Sequence, residues 1–130
     1  MEHSQFTQQN SAKGSADYFT GDVTIKSGFT LREGDSYGGA MVRFNTGART
    51  AHPKGQTIII ISGEGRAQKE DEPIIKLLPG DVVWFAPDEK HWHGASPHSP
   101  MAHIAILEEK DGVGTIWLEQ VSEADFTAAP

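Results

Sequence analysis

The sequence predicts an all-β domain, a sandwich or closed barrel, on three observations. Apolar residues gather in short runs rich in β-branched and aromatic side chains, almost every gap between the runs carries Gly or Pro, and the one credible helix start lies near the end of the chain at Ser122. A length of 130 residues with 37% apolar composition fits one domain with a real but modest core.

Strand signals fall at 23–26, 39–44, 57–62, 74–78, 81–85, 101–107 and 115–121. Turn residues separate them at Gly63-Glu64-Gly65, Pro79-Gly80-Asp81, Pro87-Asp88 and Asp111-Gly112. Residues 1–22 hold neither a helical nor a strand period and read as an extended N-terminal arm. A barrel is expected over 23–121, and residues 122–130 form a C-terminal tail in which Ser122 caps a short helix with Glu123 and Asp125 in its first turn.

Eleven basic against eighteen acidic residues leave a net charge of −7, with no basic stripe interleaved with aromatics. Nucleic acid and membrane surfaces are therefore not expected partners. The absence of cysteine removes disulfides, thiolate metal sites and thiol nucleophiles, so any metal must sit on N and O ligands. Residues 1–10 are polar and the longest apolar run, 58–61, is far too short for a bilayer, which leads to the expectation of a cytoplasmic protein.

The chemistry lies in the histidines. His91 and His93 are two apart, so in an extended stretch both leave one face while Trp92 leaves the other. His103 shares a face of its strand with Ala105 and Leu107. His52 precedes Pro53, which biases it to extended backbone, and Gln56 follows at the start of an apolar strand. Imidazole and amide donors without sulfur suit Mn, Fe, Ni, Cu or Zn. Alternation through 39–44 places Ala40, Val42 and Phe44 on one face, which together with Leu107 would make a small apolar substrate pocket or plain barrel core. Trp84 and Trp117 read as core or interface aromatics. Arg43 and Arg49 read as solvated or paired at the rim, with Arg49 alternatively orienting a ligand carboxylate.

The run from Gly80 through Pro87 to His91 resembles the second cupin motif, a Gly, five residues, Pro and, four positions on, a metal-ligating His, with six residues here between Gly80 and Pro87. The run Gly47-Ala48-Arg49-Thr50-Ala51-His52-Pro53-Lys54-Gly55-Gln56 is similar to the first. With Asp17-Tyr18-Phe19-Thr20-Gly21 and Lys90-His91-Trp92-His93-Gly94-Ala95, the resemblance extends over nearly the whole chain to small bacterial cupins related to cupin-type hydroxynitrile lyases. It implies a double-stranded β-helix (jelly-roll) barrel and one divalent ion per chain, Mn first with Fe, Ni or Zn as alternatives, held by His52, Gln56 and His91.

The sequence departs from the family pattern beside His52. Relatives carry three further residues there, so the first His of His-x-His is missing, which leaves a three-ligand site, a site completed by His93 or water, or a gap in the sequence itself. The usual Asn of the second motif is replaced by Ala95, and Gln56 stands where many cupins use Glu. A neutral shell leaves the ion's charge uncompensated, strengthening it as a Lewis acid and disfavouring high oxidation states.

The resemblance implies a carbon–carbon lyase that cleaves or forms cyanohydrins, with His93 and His103 as the acid–base pair. A quercetin-dioxygenase-like oxygenase and a non-catalytic barrel that binds a small ligand are the alternatives. Edge strands in so small a barrel are commonly covered by another copy, so a homodimer or homotetramer is expected.

Overall fold

The computed structural model describes residues 1, 3, 5, 10–29, 37–51, 53–108 and 116–130. In chain order the strands are β1 (Ser11–Lys13), β2 (Phe19–Thr20), β3 (Val23–Phe29), β4 (Tyr37–Phe44), β5 (Arg49–Thr50) and β6 (Pro53–Gly63). There follow β7 (Gly65–Lys69), β8 (Ile75–Leu77), β9 (Val82–Ala95), β10 (Met101–Glu108), β11 (Ile116–Trp117) and the helix α1 (Glu123–Thr127). All pairings are antiparallel and run in the order β1-β3-β4-β10-β6-β9-β5-β2, with β11 on β6 and β8 on β7, which also pairs β9. The result is a curled sheet consistent with a β-barrel.

Three of the longest predicted runs became central strands. The run 57–62 lies in β6, 101–107 in β10 and 39–44 in β4, and β10 pairs both others along nearly its full length. Their inward side chains carry the core: Val42, Phe44, Ile58, Ile60, Met101 and Ala105 are buried together, with Phe85 of β9 among them. The run 115–121 gives only the two-residue β11, and 74–78 only β8. β7 was not predicted. Its inward residues are Gly65 and Ala67, too small to raise the apolar signal that marks a strand.

Two short strands fall inside the segment read as an arm. β1 pairs β3 with Ala12 opposite Ile25, and β2 pairs β5 with Phe19 opposite Thr50. β1 is exposed at all three positions, so no alternation announces it.

The structure differs from the sequence reading at Pro87-Asp88, which is not a strand end. β9 runs 14 residues, its first part on β6 and its last five residues on β7. Between Phe85, opposite Gln56, and Lys90, opposite Lys54, four residues of β9 answer only Gly55. Proline is tolerated there because a bulge asks for no ladder hydrogen bond from it. Gly55 has φ +64° and a Cβ on it would meet Pro87 Cα at 2.8 Å, so only glycine lets the two chains come this close.

Arg49 is paired, one of the two readings of the sequence, but its side chain is buried and does not lie at a rim. It donates to Val121 O at 3.0 Å and Glu123 at 3.0 Å, and its guanidinium lies 4.6 Å from the centre of the Phe126 ring. Phe126, Val121, Ile74 and Trp92 form a separate buried cluster. Ser122 caps α1 as the sequence predicts, its hydroxyl accepting from Asp125 N at 3.1 Å. The C-terminal tail thus packs on the back of the strand that carries His91 and His93. No helix among the described residues is long and apolar enough to cross a membrane.

Candidate metal and acid–base centre

Period-two alternation in β9 sends His91 and His93 to one side and Trp92 to the other, and Phe85, before the bulge, lies against the His91 ring. Both histidines are buried, and their rings lie 5.7 Å apart, nearly parallel. Trp92 turns into the Phe126 cluster and donates its Nε1–H to Gln68 at 2.9 Å, which fixes the strand's rotation from behind. In β10, His103 stands opposite Ile60 of β6 and Val42 of β4, which aims it into the same interior.

Two pairs result. In the first, the Gln56 amide lies 3.4 Å from His91 Nε2, and His91 Nδ1 lies 3.2 Å from Glu89 O. A proton on Nδ1 donated to that carbonyl leaves the Nε2 lone pair facing Gln56. Phe85 stacks on the His91 ring at 3.5 Å and holds its plane. In the second pair, His93 Nε2 and His103 Nε2 are 3.1 Å apart, with Phe44 against both rings and the His93 amide donating to Thr50 Oγ1. Among the described residues the Nδ1 atoms of both His93 and His103 are buried without a hydrogen-bond partner.

Burial dominates the electrostatics. It holds His93 well below the ordinary imidazole range, aided by the like charges that His103 and His91 would carry. It pushes His103 down to about 4, against an opposing pull from the backbone of Ile104. Both rings are therefore neutral at neutral pH: one donates its Nε2–H and the other accepts it.

Gln56 and His91 fit a divalent ion as two members of a larger neutral set. The Gln56 atom 3.4 Å from His91 Nε2 is the amide nitrogen, a donor to that ring, so the Gln56 oxygen would face an ion with the amide turned over. The Glu89 carbonyl supplies the outer hydrogen bond that orients a ligating imidazole. The Nε2 atoms of His93 and His103 face each other at 3.1 Å, an arrangement that shares one proton between two neutral rings. His52 lies outside the described residues, and among those described no group of three or more His, Cys, Asp or Glu is poised around one point.

Of the residues read as a pocket, Val42 and Phe44 are buried and Ala40 packs against the same core, while the Leu107 side chain lies outside the described residues. A cavity of about 240 Å³ opens instead beside β7 and β9, lined by Ala67, Val83, Trp84 and Phe85 among others but by none of the clustered histidines. Phe85 and Thr50 escaped the sequence reading. The shared face of Phe85 and His91 is not legible from period two because the bulge at 86–89 lies between them, and nothing in the sequence marks Thr50.

The depressed His103 value has a measurable consequence. The unfolded chain protonates this ring below about 6.5 while the fold resists until about 4. The contribution is therefore fully present above 6.5 and is lost as pH falls from there towards 4, at a limiting slope of about 1.4 kcal/mol per pH unit. Urea unfolding of chelator-treated protein should lose stability over that window. His103→Gln should flatten the slope, and an unchanged slope would mean that another group sets it.

A cupin-domain family model matches residues 40–107. The chain is 46% identical over 129 residues to an (R)-mandelonitrile lyase of Granulicella tundricola, a match covering 97% of this chain and 98% of that one. A cupin-like protein of Thermotoga maritima of solved structure superposes with TM-score 0.85 at 34% identity, covering 95% of each chain. A polyketide cyclase of Streptomyces resistomycificus superposes at 0.70 with 14% identity over 98% of this chain and 90% of that one, a likeness of fold alone. The matched span begins inside β4, closes inside β10 and takes in Gln56, His91, His93 and His103, and this chain belongs to the cupin domain family.

Proposed function

We propose that this cupin is a metal-dependent carbon–carbon lyase acting on cyanohydrins of aromatic aldehydes. The observation that carries the reading is the buried, neutral His93–His103 pair, Nε2 to Nε2 at 3.1 Å, set on the interior face that His91 also occupies. The resemblance in sequence to a mandelonitrile lyase supports the substrate class.

In this reading Gln56 and His91, with His52, hold one divalent ion, Mn first among Mn, Fe, Ni and Zn, whose chemistry is to polarise the substrate oxygen. A neutral imidazole of the His93–His103 pair accepts the cyanohydrin O–H proton at its free nitrogen. The O–H bonding pair closes the carbonyl, and the pair of the C–CN bond departs with cyanide. The imidazolium then returns its proton to give hydrogen cyanide and aldehyde. Burial makes the imidazolium short-lived, which favours that return. In this reading Ala40, Val42 and Phe44 supply the apolar side on which the aromatic ring rests.

The test is benzaldehyde release from mandelonitrile by intact protein of known metal content. Release should vanish on chelation and return with one equivalent of divalent ion. Metal-loaded protein that releases none would remove the lyase reading, and oxygen uptake with a flavonol would favour the oxygenase alternative in its place.

A further inference from the structure

Register puts Arg49 of β5, Gly94 of β9 and Arg66 of β7 in one row, on the face opposite His93. Gly94 leaves the space that this row needs, since a Cβ on it would meet Ala48 O at 2.4 Å and Arg49 Cα at 2.6 Å. From either side of Gly94 the two arginines reach the same segment. Arg49 donates to Val121 O at 3.0 Å through Nη2 and to Glu123 at 3.0 Å through Nη1. Arg66 Nη1 donates to Phe126 O at 3.2 Å and Ala128 O at 2.8 Å. Residues 121–128 thus cross the back of three strands, fastened near both ends, with Phe126 against Trp92 between the fastenings.

The strand that most needs fastening is β5. It is two residues long, pairs β9 at Gly94 alone, and its other neighbour β2 is equally short. It nevertheless holds the backbone on both sides of Gly94: Thr50 Oγ1 accepts from His93 N at 3.2 Å and Ala48 O accepts from Ala95 N at 2.9 Å. Among the described residues neither His93 nor His103 has a hydrogen-bond partner at Nδ1 to orient its ring, so their 3.1 Å alignment depends on where the β9 backbone sits. A buried guanidinium is a costly way to fill space, because an apolar side chain of similar volume often serves stability as well. What Arg49 adds is a rigid fork with a fixed direction. Its partner Glu123 is 75% exposed, so the ion pair itself contributes little, and the tail carbonyl and the Phe126 ring hold the charge.

We infer that Arg49 and Arg66 are positioning residues for the His93–His103 pair, strapping the C-terminal tail over β5, β9 and β7 so that the two imidazoles stay aligned. The inference rests on the acid–base reading of that pair.

In the full-length, metal-loaded chain Arg49→Met should lower kcat for mandelonitrile by about 10- to 100-fold, the scale of an ångström misplacement, with KM and bound metal unchanged. A second readout needs no turnover. With histidine labelled in nitrogen-15, the wild type should show an exchange-protected imidazole N–H, the proton shared by the two Nε2 atoms, and Arg49→Met should lose it while keeping the far-ultraviolet spectrum. Arg49→Lys should not restore it, because an ammonium cannot reproduce the fork. Arg66 is half-buried, so Arg66→Met tests the strap even if the Arg49 variant fails to fold; it should weaken the same signal and kcat by a smaller factor, and Arg66→Lys should recover both. Folded methionine variants with the wild-type kcat and imidazole signal would overturn the inference and leave the tail as cover for the Trp92 cluster. A loss confined to KM or to bound metal would overturn it equally. A wild type that shows the signal and releases no benzaldehyde removes the lyase reading alone, and the signal in the variants still decides whether the strap positions the pair.

Discussion

His93→Ala should lower the rate of mandelonitrile cleavage by about 100- to 10,000-fold, the usual range for removing a positioned acid–base group, while bound metal stays within error of the wild type. The split follows from the geometry. His93 contacts His103 and has no bonded partner at Nδ1, whereas His91 and Gln56 contact each other. If His93 and His103 act as one unit, His103→Ala should cost a similar factor and the double variant little more than either, because the second removal takes away nothing still working. Metal analysis on each variant separates this from collapse of the ligand set. Loss of metal together with activity would make His93 a ligand, and unimpaired turnover would take it out of the reaction.

Trp92→Ala should be the most damaging single change to the fold, costing about 3 to 5 kcal/mol by the behaviour of buried aromatics. That is a large share of the roughly 5 to 15 kcal/mol that holds a domain together. The indole is 1% exposed, lies 5.5 Å from the Phe126 ring and donates to Gln68. Thermal unfolding should show a melting point lowered by about 10 °C or more. Trp92→Phe, which keeps the packing and loses the N–H, should recover most of it. Because Trp92 sits between His91 and His93, activity should fall further than stability alone explains. A mild effect of the alanine variant would show that the tail cluster contributes little and that the strand is held from its other face.

The sequence carried the fold where apolar side chains are large and alternate, and lost it where they do not. β4, β6 and β10 were legible because Val42, Phe44, Ile58 and Ile60 mark the inward face. β7, with Gly65 and Ala67 inward, and β1, exposed throughout, had no such mark. Glycine spacing and Pro87 pointed to a turn because a single chain cannot reveal that its neighbour also bends at Gly55. In the centre, the shared face of His91 and His93 follows from their separation by two residues. The approach of His103 does not, since it depends on β10 lying beside β6 and on a slip at Ile61. The pairing of Arg49 was among the readings of the sequence, but its burial was not legible because its partners are 72 and 74 residues away. Trp84 read equally as core or interface, and only its exposure removes the first.

The bulge in β9 bears on how chain length can vary around this centre. Residues 86–89 stand opposite Gly55 alone, so the pairing before them and the pairing after them are set independently. A residue gained or lost within 86–89 changes the size of the bulge and leaves His91 and His93 on the interior face. The same change between His91 and His93, where each position has its own partner on β7, would send the two imidazoles to opposite faces. The ligand strand is thus insulated from length variation on its approach and intolerant of it along its own course.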